Sequence, residues 1–169
     1  MRAGSRGKDW VAANELCCDL VSVFRLSGPK SDEALCAITK SNLPRPRAAS
    51  LRNLYNEMGV IDAPLVLWFP APKSFTGEDC VELQVHGSAA VIEATASALL
   101  ALGLRQALPG EFTRRAVENG KMDLTEAEGL ADLIDAETEG QRRQAIRQMS
   151  GGLRVMYEGW REQLLDAMA

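Results

Sequence analysis

Residues 80–103, CVELQVHGSAAVIEATASALLALG, combine two hydrophobic patterns of different period. From Val81 to Val85, apolar residues occupy every second position and polar residues lie between them. This alternation predicts a β-strand with one polar face. The alanine-rich run that follows predicts a helix ended by Gly103, because glycine readily adopts the backbone conformation that terminates helices. The stretch therefore predicts a strand followed directly by a helix.

The segment before this stretch predicts a second strand and a short helix. DLVSVFRL (Asp19–Leu26) alternates well enough for a strand, with Val21, Val23 and Arg25 on one face. SGPKSDEALCAI then predicts a turn and a helix that Ser31 caps, with two acidic residues in its first turn. We expect the LPRPR segment to end this helix because proline cannot continue it.

Further β-rich runs complete the sheet. AASLRNLYN (48–56) and APLVLWFP (63–70) are separated by EMGVID, which indicates antiparallel neighbours. The second run is apolar almost throughout, as a central strand is. LRQAL (104–108) predicts a last short strand. The order of these elements predicts an α+β fold, a mixed β-sheet with helices packed on one face.

The sequence changes character after Pro109, where helix-forming residues dominate to the end. Asp123 followed by Glu126 resembles a capping box, which favours a helix start. A final amphipathic helix is expected after Gly151 and Gly152, and its apolar face needs a partner surface. One helical stripe before the glycines is predicted to contain Leu130, Ile134, Ala145 and Met149.

Composition excludes several classes of function. The net charge of −4 creates no field that would attract a polyanion. The four cysteines lack CxxC spacing and His86 is the only histidine, so no metal site is predicted and a reducing compartment is favoured. No apolar run approaches the roughly 20 residues that span a bilayer. The sequence contains no GxxxxGK[ST] motif and no Ser/His/Asp set, so we assign no catalytic residue.

Glu82 lies in the middle of a predicted strand and is flanked by apolar residues. A buried carboxylate without a partner is unfavourable, so this side chain must face solvent, a cation or a ligand. Periodicity alone favours a solvent-exposed sheet face. The alternative is a carboxylate aimed at two parallel N–H donors, as an amidine-like heterocycle presents them.

Two cations allow similar alternatives. Arg25 is either an edge charge that discourages aggregation, or it holds an anion or pairs with Glu82 across the sheet. Lys121 lies in ENGKMDL, between a helix that ends near Asn119 and one that Asp123 begins. A solvated lysine is the simpler interpretation, and a contact with a carboxylate-bearing ligand is the alternative.

The other polar groups have structural interpretations. Arg114 and Arg115 are read as a charged helix face, with one arginine reaching Glu111 or Glu118. His86 is read as a strand residue in a hydrogen bond.

Three segments, VFRLSGP, LVLWFPAPKSFTGEDCVELQVHG and PGEFTRRAVENGKMDLTEAEGLADLIDAETE, together resemble the amino-terminal part of the MnmE (TrmE) family of tRNA-modification GTPases. The match runs in order from about Val21 to about Leu153. AETEGQRRQAIRQMSGGL looks closest to the mitochondrial branch found in animals. The resemblance therefore implies a mitochondrial location, with a cytoplasmic location as the alternative.

The resemblance also implies a function. The complete protein is expected to work with the flavoprotein MnmG to modify carbon 5 of the wobble uridine of certain tRNAs. The amino-terminal domain of the family binds a tetrahydrofolate derivative such as 5-formyltetrahydrofolate and mediates homodimerisation, and a helical domain carrying an inserted GTPase domain follows. GTP, potassium and magnesium are implied only for the full-length family. This fragment is expected to have no GTPase activity and to meet tRNA only indirectly.

Three folate-binding positions of the family fall on matching motifs. They are Arg25 of R-x-S-G, Glu82 of E-L-Q-x-H-G and Lys121 of N-x-K-x-D-L. A reduced pterin presents a ring N–H and an exocyclic amine that one carboxylate can accept in parallel, which suits Glu82. The glutamate tail of the ligand is anionic, so Arg25 and Lys121 suit charge complementarity at the rest of the molecule.

The amino terminus departs from the family pattern. Family members usually open with a DTI-A-A strand and a GRGGI loop, where this chain has KDWVAANELCCDLVSV. We therefore treat residues 1–18 as an atypical segment, residues 19–120 as the folate-binding and dimerisation domain, and residues 121–169 as the start of the helical domain. Ser88 stands where the family has the second glycine of HGG, which restricts that turn.

Two alternative functions remain open on the sequence. One is an interaction-only fragment that dimerises, or pairs with full-length subunits, but no longer binds folate. The other is direct RNA binding, which the net acidity and the lack of a basic, aromatic strand face disfavour.

Overall fold

The computed structural model of the chain describes residues 8–13 and 20–168. The chain divides into two compact units, Met1–Phe112 and Thr113–Ala169. Asp19, the predicted start of the second strand, lies outside the described residues, as do Cys17 and Cys18.

The first unit contains strands and two helices. In chain order they are β1 (Lys8–Ala13), β2 (Val21–Ser27), α1 (Ser31–Thr39), β3 (Ser50–Leu51), β4 (Leu54–Asn56), β5 (Gly59–Asp62), β6 (Leu65–Phe69), β7 (Cys80–His86), α2 (Ala89–Ala101) and β8 (Leu104–Gln106). Six strands form one sheet in the order β3-β6-β7-β2-β1-β8, and β4 and β5 form a separate hairpin. The β1–β8 pair is parallel and the other neighbours are antiparallel. The predicted α+β fold with a mixed sheet is confirmed.

The pairing of β2 with β7 sets the centre of this sheet. The two strands pair over seven residues, from Val21 opposite His86 to Ser27 opposite Cys80. Successive side chains of a strand point to opposite faces, so this register gives the sheet one apolar face and one mixed face that carries Arg25 and Glu82. The apolar face is fully buried and joins Leu35 of α1 and Leu99 of α2 in the core. Its members on β2 and β7 are Phe24, Leu26, Val81, Leu83 and Val85.

The ends of α1 differ from the prediction. Ser31 is the first residue of the helix and not its cap, because Lys30 occupies the N-cap position without a side-chain hydrogen bond. The Ser31 N–H is instead bonded to the Gly28 carbonyl in the turn before the helix, 3.1 Å away. The helix ends at Thr39, since Lys40 adopts a left-handed conformation with φ of 50° before the prolines are reached. The two acidic residues of the first turn, Asp32 and Glu33, are confirmed.

The segment EMGVID contains a strand, whereas the sequence pattern predicts only a connection between two strands. Gly59–Asp62 forms β5 and pairs with β4, so the chain reverses after Asn56, whose side chain accepts a hydrogen bond from the Met58 N–H. Gly59 has a φ of 130°, which favours glycine. The predicted antiparallel pairing of the two β-rich runs is correct only for β3 and β6.

The sequence predicted no strand within residues 1–18, yet β1 lies there. It pairs with β2 on one side and with β8 on the other. KDWVAA begins with two charged residues and is too short for a clear alternation, so only the pairing identifies it as a strand.

The remaining helices are α3 (Glu111–Glu118), α4 (Leu124–Ile134), α5 (Glu139–Met149) and α6 (Gly152–Ala167). The capping box of Asp123 and Glu126 is confirmed at the start of α4. A second capping box, formed by Thr138 and Gln141, starts α5 and was missed. The helix is interrupted between α4 and α5, so Leu130 and Ile134 lie on a different helix from Ala145 and Met149. The predicted single helical stripe is therefore wrong, and Ile134 is 75% exposed.

Helix α6 exposes apolar side chains, as its amphipathic sequence predicts. Tyr157 and Trp160 make an edge contact with ring centroids 5.7 Å apart. The side chain of Leu153 lies outside the described residues. The exposed apolar side chains of the helix and the residue after it are Met156, Tyr157, Trp160, Leu164, Leu165 and Met168.

Asp62 joins the β4–β5 hairpin to the end of β7. Its carboxylate accepts a hydrogen bond from the His86 backbone N–H at 2.9 Å and lies 2.7 Å from Nδ1 of the same residue. The predicted hydrogen bond of His86 is confirmed. Burial alone would raise the pKa of Asp62, but the hydrogen bonds from His86 and from the Ala63 N–H outweigh it and lower the pKa below its usual 3.8.

Replacing Asp62 by alanine is expected to lower the free energy of unfolding by roughly 2 kcal/mol at pH 7, because it leaves charge-assisted hydrogen bonds unmade. The carboxylate is more acidic in the folded state, so its contribution is complete above about pH 4 and declines as the pH falls through the folded pKa. Urea denaturation at a series of pH values would measure this. Glu57→Ala, at an exposed position of the same hairpin, is the control; an Asp62→Ala deficit that persists unchanged under acid conditions would contradict the account.

Gly129 of α4 lies against the end of α5 with almost no space between the backbones. A β-carbon added at Gly129 would lie 2.7 Å from the Met149 backbone nitrogen. Gly129→Ala should therefore destabilise the helical unit by roughly 1–3 kcal/mol. Gly159→Ala in α6 is the matched control, since no atom lies within 4 Å of its added carbon, and it should stabilise by about 0.5–1 kcal/mol. Thermal melts of the two variants should shift in opposite directions, and equal melting temperatures would be inconsistent with this packing.

Candidate functional site

Arg25 and Glu82 form an ion pair on the mixed face of the sheet. They occupy directly opposite positions of β2 and β7. Arg25 Nε donates to Glu82 Oε1 at 2.9 Å, and Nη2 lies 2.8 Å from the same oxygen. Their side chains are 37% and 21% exposed. Of the alternatives that the sequence left open for Arg25, the structure shows the one in which it pairs with Glu82.

Each partner of the ion pair retains one polar atom that makes no hydrogen bond to the described residues. Both printed contacts of the guanidinium reach Oε1, so Glu82 Oε2 accepts no hydrogen bond from the part of the chain that the structure describes. Arg25 Nη1 likewise makes no hydrogen bond to any described residue. The pair thus retains one charged acceptor and one charged donor at a half-buried position. Such groups form strong hydrogen bonds with a ligand of matching polarity.

Two aromatic rings lie beside the guanidinium. The Arg25 Cζ is 5.6 Å from the Phe75 ring centroid and 5.8 Å from that of Phe112. At these distances the rings stabilise the cation and restrict its position. The ion pair thus lies next to apolar surface, which strengthens electrostatic interactions relative to open water.

Phe75 belongs to a loop, residues 70–79, whose anchor is a buried polar cluster. Thr76 is fully buried, and its hydroxyl lies 2.6 Å from Ser27 Oγ and 3.2 Å from Cys80 Sγ. Ser27 and Cys80 are opposite residues of β2 and β7, two positions from the ion pair. The loop is therefore fixed to the same two strands that hold Arg25 and Glu82.

Lys121 lies in the second unit. It is exposed, follows Gly120 with its φ of 64°, and its backbone N–H is bonded to the Ala116 carbonyl at 2.8 Å. The expected loop between two helices is confirmed, with Asp123 capping the second. The folate-binding role of Lys121 stays a prediction from the resemblance.

The acidic and basic residues around α3 agree with the sequence-based prediction only in part. Arg114 and Glu118 form the predicted i,i+4 pair at 3.7 Å. Arg115 is buried rather than part of a charged surface, which corrects the prediction. Glu111 is also buried and forms a bidentate pair with Arg105, whose pKa this hydrogen bonding raises. A carboxylate so fully satisfied by its own chain is a structural group.

A separate open groove lies between α1, α2 and the β4–β5 hairpin. Its volume is about 630 Å³, and its lining is largely apolar, with Lys40 Nζ 4.8 Å from the Tyr55 ring centroid. It does not include Arg25 or Glu82. The donor and acceptor chemistry of the ion pair is the stronger indication of a specific ligand.

Among the described residues, no group of three or more His, Cys, Asp or Glu side chains could hold a metal ion. Within the same part of the chain, no helix is both long enough and apolar enough to cross a bilayer.

Comparison with known families agrees with this architecture. Residues 13–121 match the family described as "GTP-binding protein TrmE N-terminus", and residues 124–169 match the "MnmE helical domain". The chain belongs to the MnmE (TrmE) family. It corresponds to the amino-terminal domain of these tRNA-modification GTPases followed by helical-domain sequence, as the motifs of the sequence indicated.

Individual members of the MnmE family are similar over most of this chain. The "tRNA modification GTPase MnmE" of Maricaulis maris is 60% identical over 150 residues, which cover 88% of this chain and 34% of that protein. The mitochondrial "5-taurinomethyluridine-[tRNA] synthase subunit GTPB3" of Danio rerio is 55% identical over 152 residues, or 88% of this chain and 30% of that protein. The chain spans about a third of the length of the curated relatives it matches. Bacterial and mitochondrial members are thus both closely similar to it.

The Arg25–Glu82 pair should be energetically coupled. Because both side chains are partly buried and aligned by the strand register, we expect a coupling free energy of roughly 1 kcal/mol. A double-mutant cycle with Arg25→Ala and Glu82→Ala, measured by urea denaturation, gives this value. The exposed pair Arg114–Glu118 is the control and should show no more than about 0.5 kcal/mol. Equal coupling in both cycles would mean that the sheet pair is an ordinary surface contact.

Proposed function

We propose that this chain binds a tetrahydrofolate derivative, such as 5-formyltetrahydrofolate, and that Arg25, Glu82 and Lys121 contact it. Residues 19–120 would form the folate-binding domain and residues 121–169 the start of the helical domain. The proposal combines the family membership with the polar atoms of the Arg25–Glu82 pair that have no partner among the described residues.

The chemistry of the ion pair supports this ligand. A reduced pterin offers a ring N–H and an exocyclic amine as adjacent donors, and its ring carbonyl is an acceptor. Glu82 Oε2 can accept from the donor edge, while Arg25 Nη1 can donate to an acceptor. Glu82 Oε1 already receives two contacts from Arg25. For both carboxylate oxygens to accept hydrogen bonds from the pterin, Arg25 must give up at least one of these contacts. The affinity then reflects a competition between the ligand and Arg25.

Lys121 enters the proposal through the resemblance of its motif. Its exposed ammonium group suits the anionic glutamate tail of a folate. The role of Lys121 can be tested separately, because a substitution there changes a residue of the second unit and leaves the Arg25–Glu82 ion pair intact.

We further propose that the complete protein acts in tRNA modification with an MnmG-type flavoprotein, and that this domain contributes to a homodimer. In that reading the chain meets tRNA indirectly and has no catalytic residue of its own. We also propose a mitochondrial location, because AETEGQRRQAIRQMSGGL resembles the animal mitochondrial branch and one similar protein is named as mitochondrial. The bacterial relatives keep a cytoplasmic location as the alternative.

A second candidate is an interaction-only role, in which the chain associates with itself or with full-length subunits but does not bind folate. The exposed apolar side chains of α6, among them Trp160 and Leu164, favour it. Light scattering combined with folate titration separates this candidate from the first, because only the first predicts a ligand-dependent signal.

Isothermal titration of 5-formyltetrahydrofolate into the unsubstituted chain should show saturable binding. Glu82→Ala should weaken the affinity by roughly tenfold or more, because a charge-assisted hydrogen bond is lost. Arg25→Ala and Lys121→Ala should each weaken it measurably. Glu93→Ala, on α2, is the control and should leave it unchanged. Absence of saturable heat with the unsubstituted chain would overturn the proposal.

A further inference from the structure

Phe75 is a large apolar residue that remains 37% exposed beside a charged group. Its ring lies 5.6 Å from the Arg25 guanidinium carbon, at the rim of the ion pair. A single exposed phenyl ring is ordinary on a protein surface, and what distinguishes Phe75 is its position beside the half-buried ion pair.

The position of this ring is fixed by its neighbour in sequence. Thr76 is fully buried, and its hydroxyl contacts Ser27 and Cys80 and also accepts a hydrogen bond from the Glu78 N–H at 3.3 Å. At the loop ends, Ala71 N–H donates to Asp79 Oδ1 at 2.7 Å. Buried hydrogen-bond clusters of this kind rigidify the segment that contains them. A half-exposed ring on a rigid loop is preorganised for contact with a ligand.

We propose that Phe75 is a ligand-contacting residue of this site, an aromatic wall for a flat nitrogen heterocycle, and that Thr76 is the residue that positions it. The inference rests on the proposed function and adds to it the group that recognises the face of the heterocycle. Arg25 and Glu82 recognise polar atoms at the edge of such a ring, and hydrogen bonds alone leave its faces in water. A neighbouring phenyl ring buries one face, as aromatic side chains do for heterocyclic bases.

The alternative is that Phe75 serves only to orient Arg25. In that case its removal affects the ligand solely through the guanidinium, and it has no effect once Arg25 is absent. A ring that contacts the ligand retains its effect in an Arg25→Ala background. This difference makes the two roles separable by a double-mutant cycle on binding.

The test uses the affinity of 5-formyltetrahydrofolate, measured by calorimetry. Phe75→Leu should weaken binding by roughly fivefold, because it removes the aromatic contact while keeping an apolar side chain, and Phe75→Tyr should retain the affinity. Thr76→Val should weaken binding and Thr76→Ser should restore it, a rescue that reports the hydroxyl. Tyr55→Leu is the matched control, because it removes another ring beside a cation, Lys40, in the separate groove.

The outcomes are distinct. Loss of affinity in Phe75→Leu, both alone and with Arg25→Ala, supports the inference. Unchanged affinity in Phe75→Leu, with Glu82→Ala still defective, overturns it and leaves the folate proposal in place. An effect that vanishes in the Arg25→Ala background overturns it in favour of the orienting role. If the unsubstituted chain does not bind, the proposed function and this inference both fail.

Discussion

The seven-residue antiparallel register between β2 and β7 is the constraint on which the rest of the first unit depends. It places Phe24, Leu26 and Leu83 on the face that the helices cover. The same register places Arg25 opposite Glu82 on the other face. A shift of one residue would move the apolar side chains into water and separate the charged pair. Core burial and the geometry of the candidate site are thus secured by one set of backbone hydrogen bonds.

Loop 70–79 extends this dependence to the aromatic residues. Thr76 is anchored on Ser27 and Cys80, which are another opposite pair of the same two strands. The ring of Phe75 therefore takes its place from the register as well. The motifs that carry the resemblance to the family include both Arg25 and Glu82, which the register of β2 and β7 brings together.

The sequence predicted those features that depend on local pattern. The alternation of β7, the helix after Ser88 and the capping box at Asp123 each depend on residues that are close in sequence, and all three are confirmed. The pairing of Arg25 with Glu82 could only be one alternative, because 57 positions separate the residues and no local pattern fixes a register. Strand β1 was missed because only its pairing with β2 and β8 identifies KDWVAA as a strand. Ser31 was misassigned as a cap because the turn at Gly28 starts the helix one residue earlier than the motif suggests.

The mutual contact of Arg25 and Glu82 also has a consequence for exchange with solution. Opposite charges held at 2.8 Å cancel much of each other's field, so neither requires a counter-ion from the buffer. If the proposed heterocycle contacts this ion pair, few ions need to be taken up or released at that contact. The contribution of this contact to binding should therefore vary little with ionic strength, in contrast to a contact made by an isolated, solvated lysine.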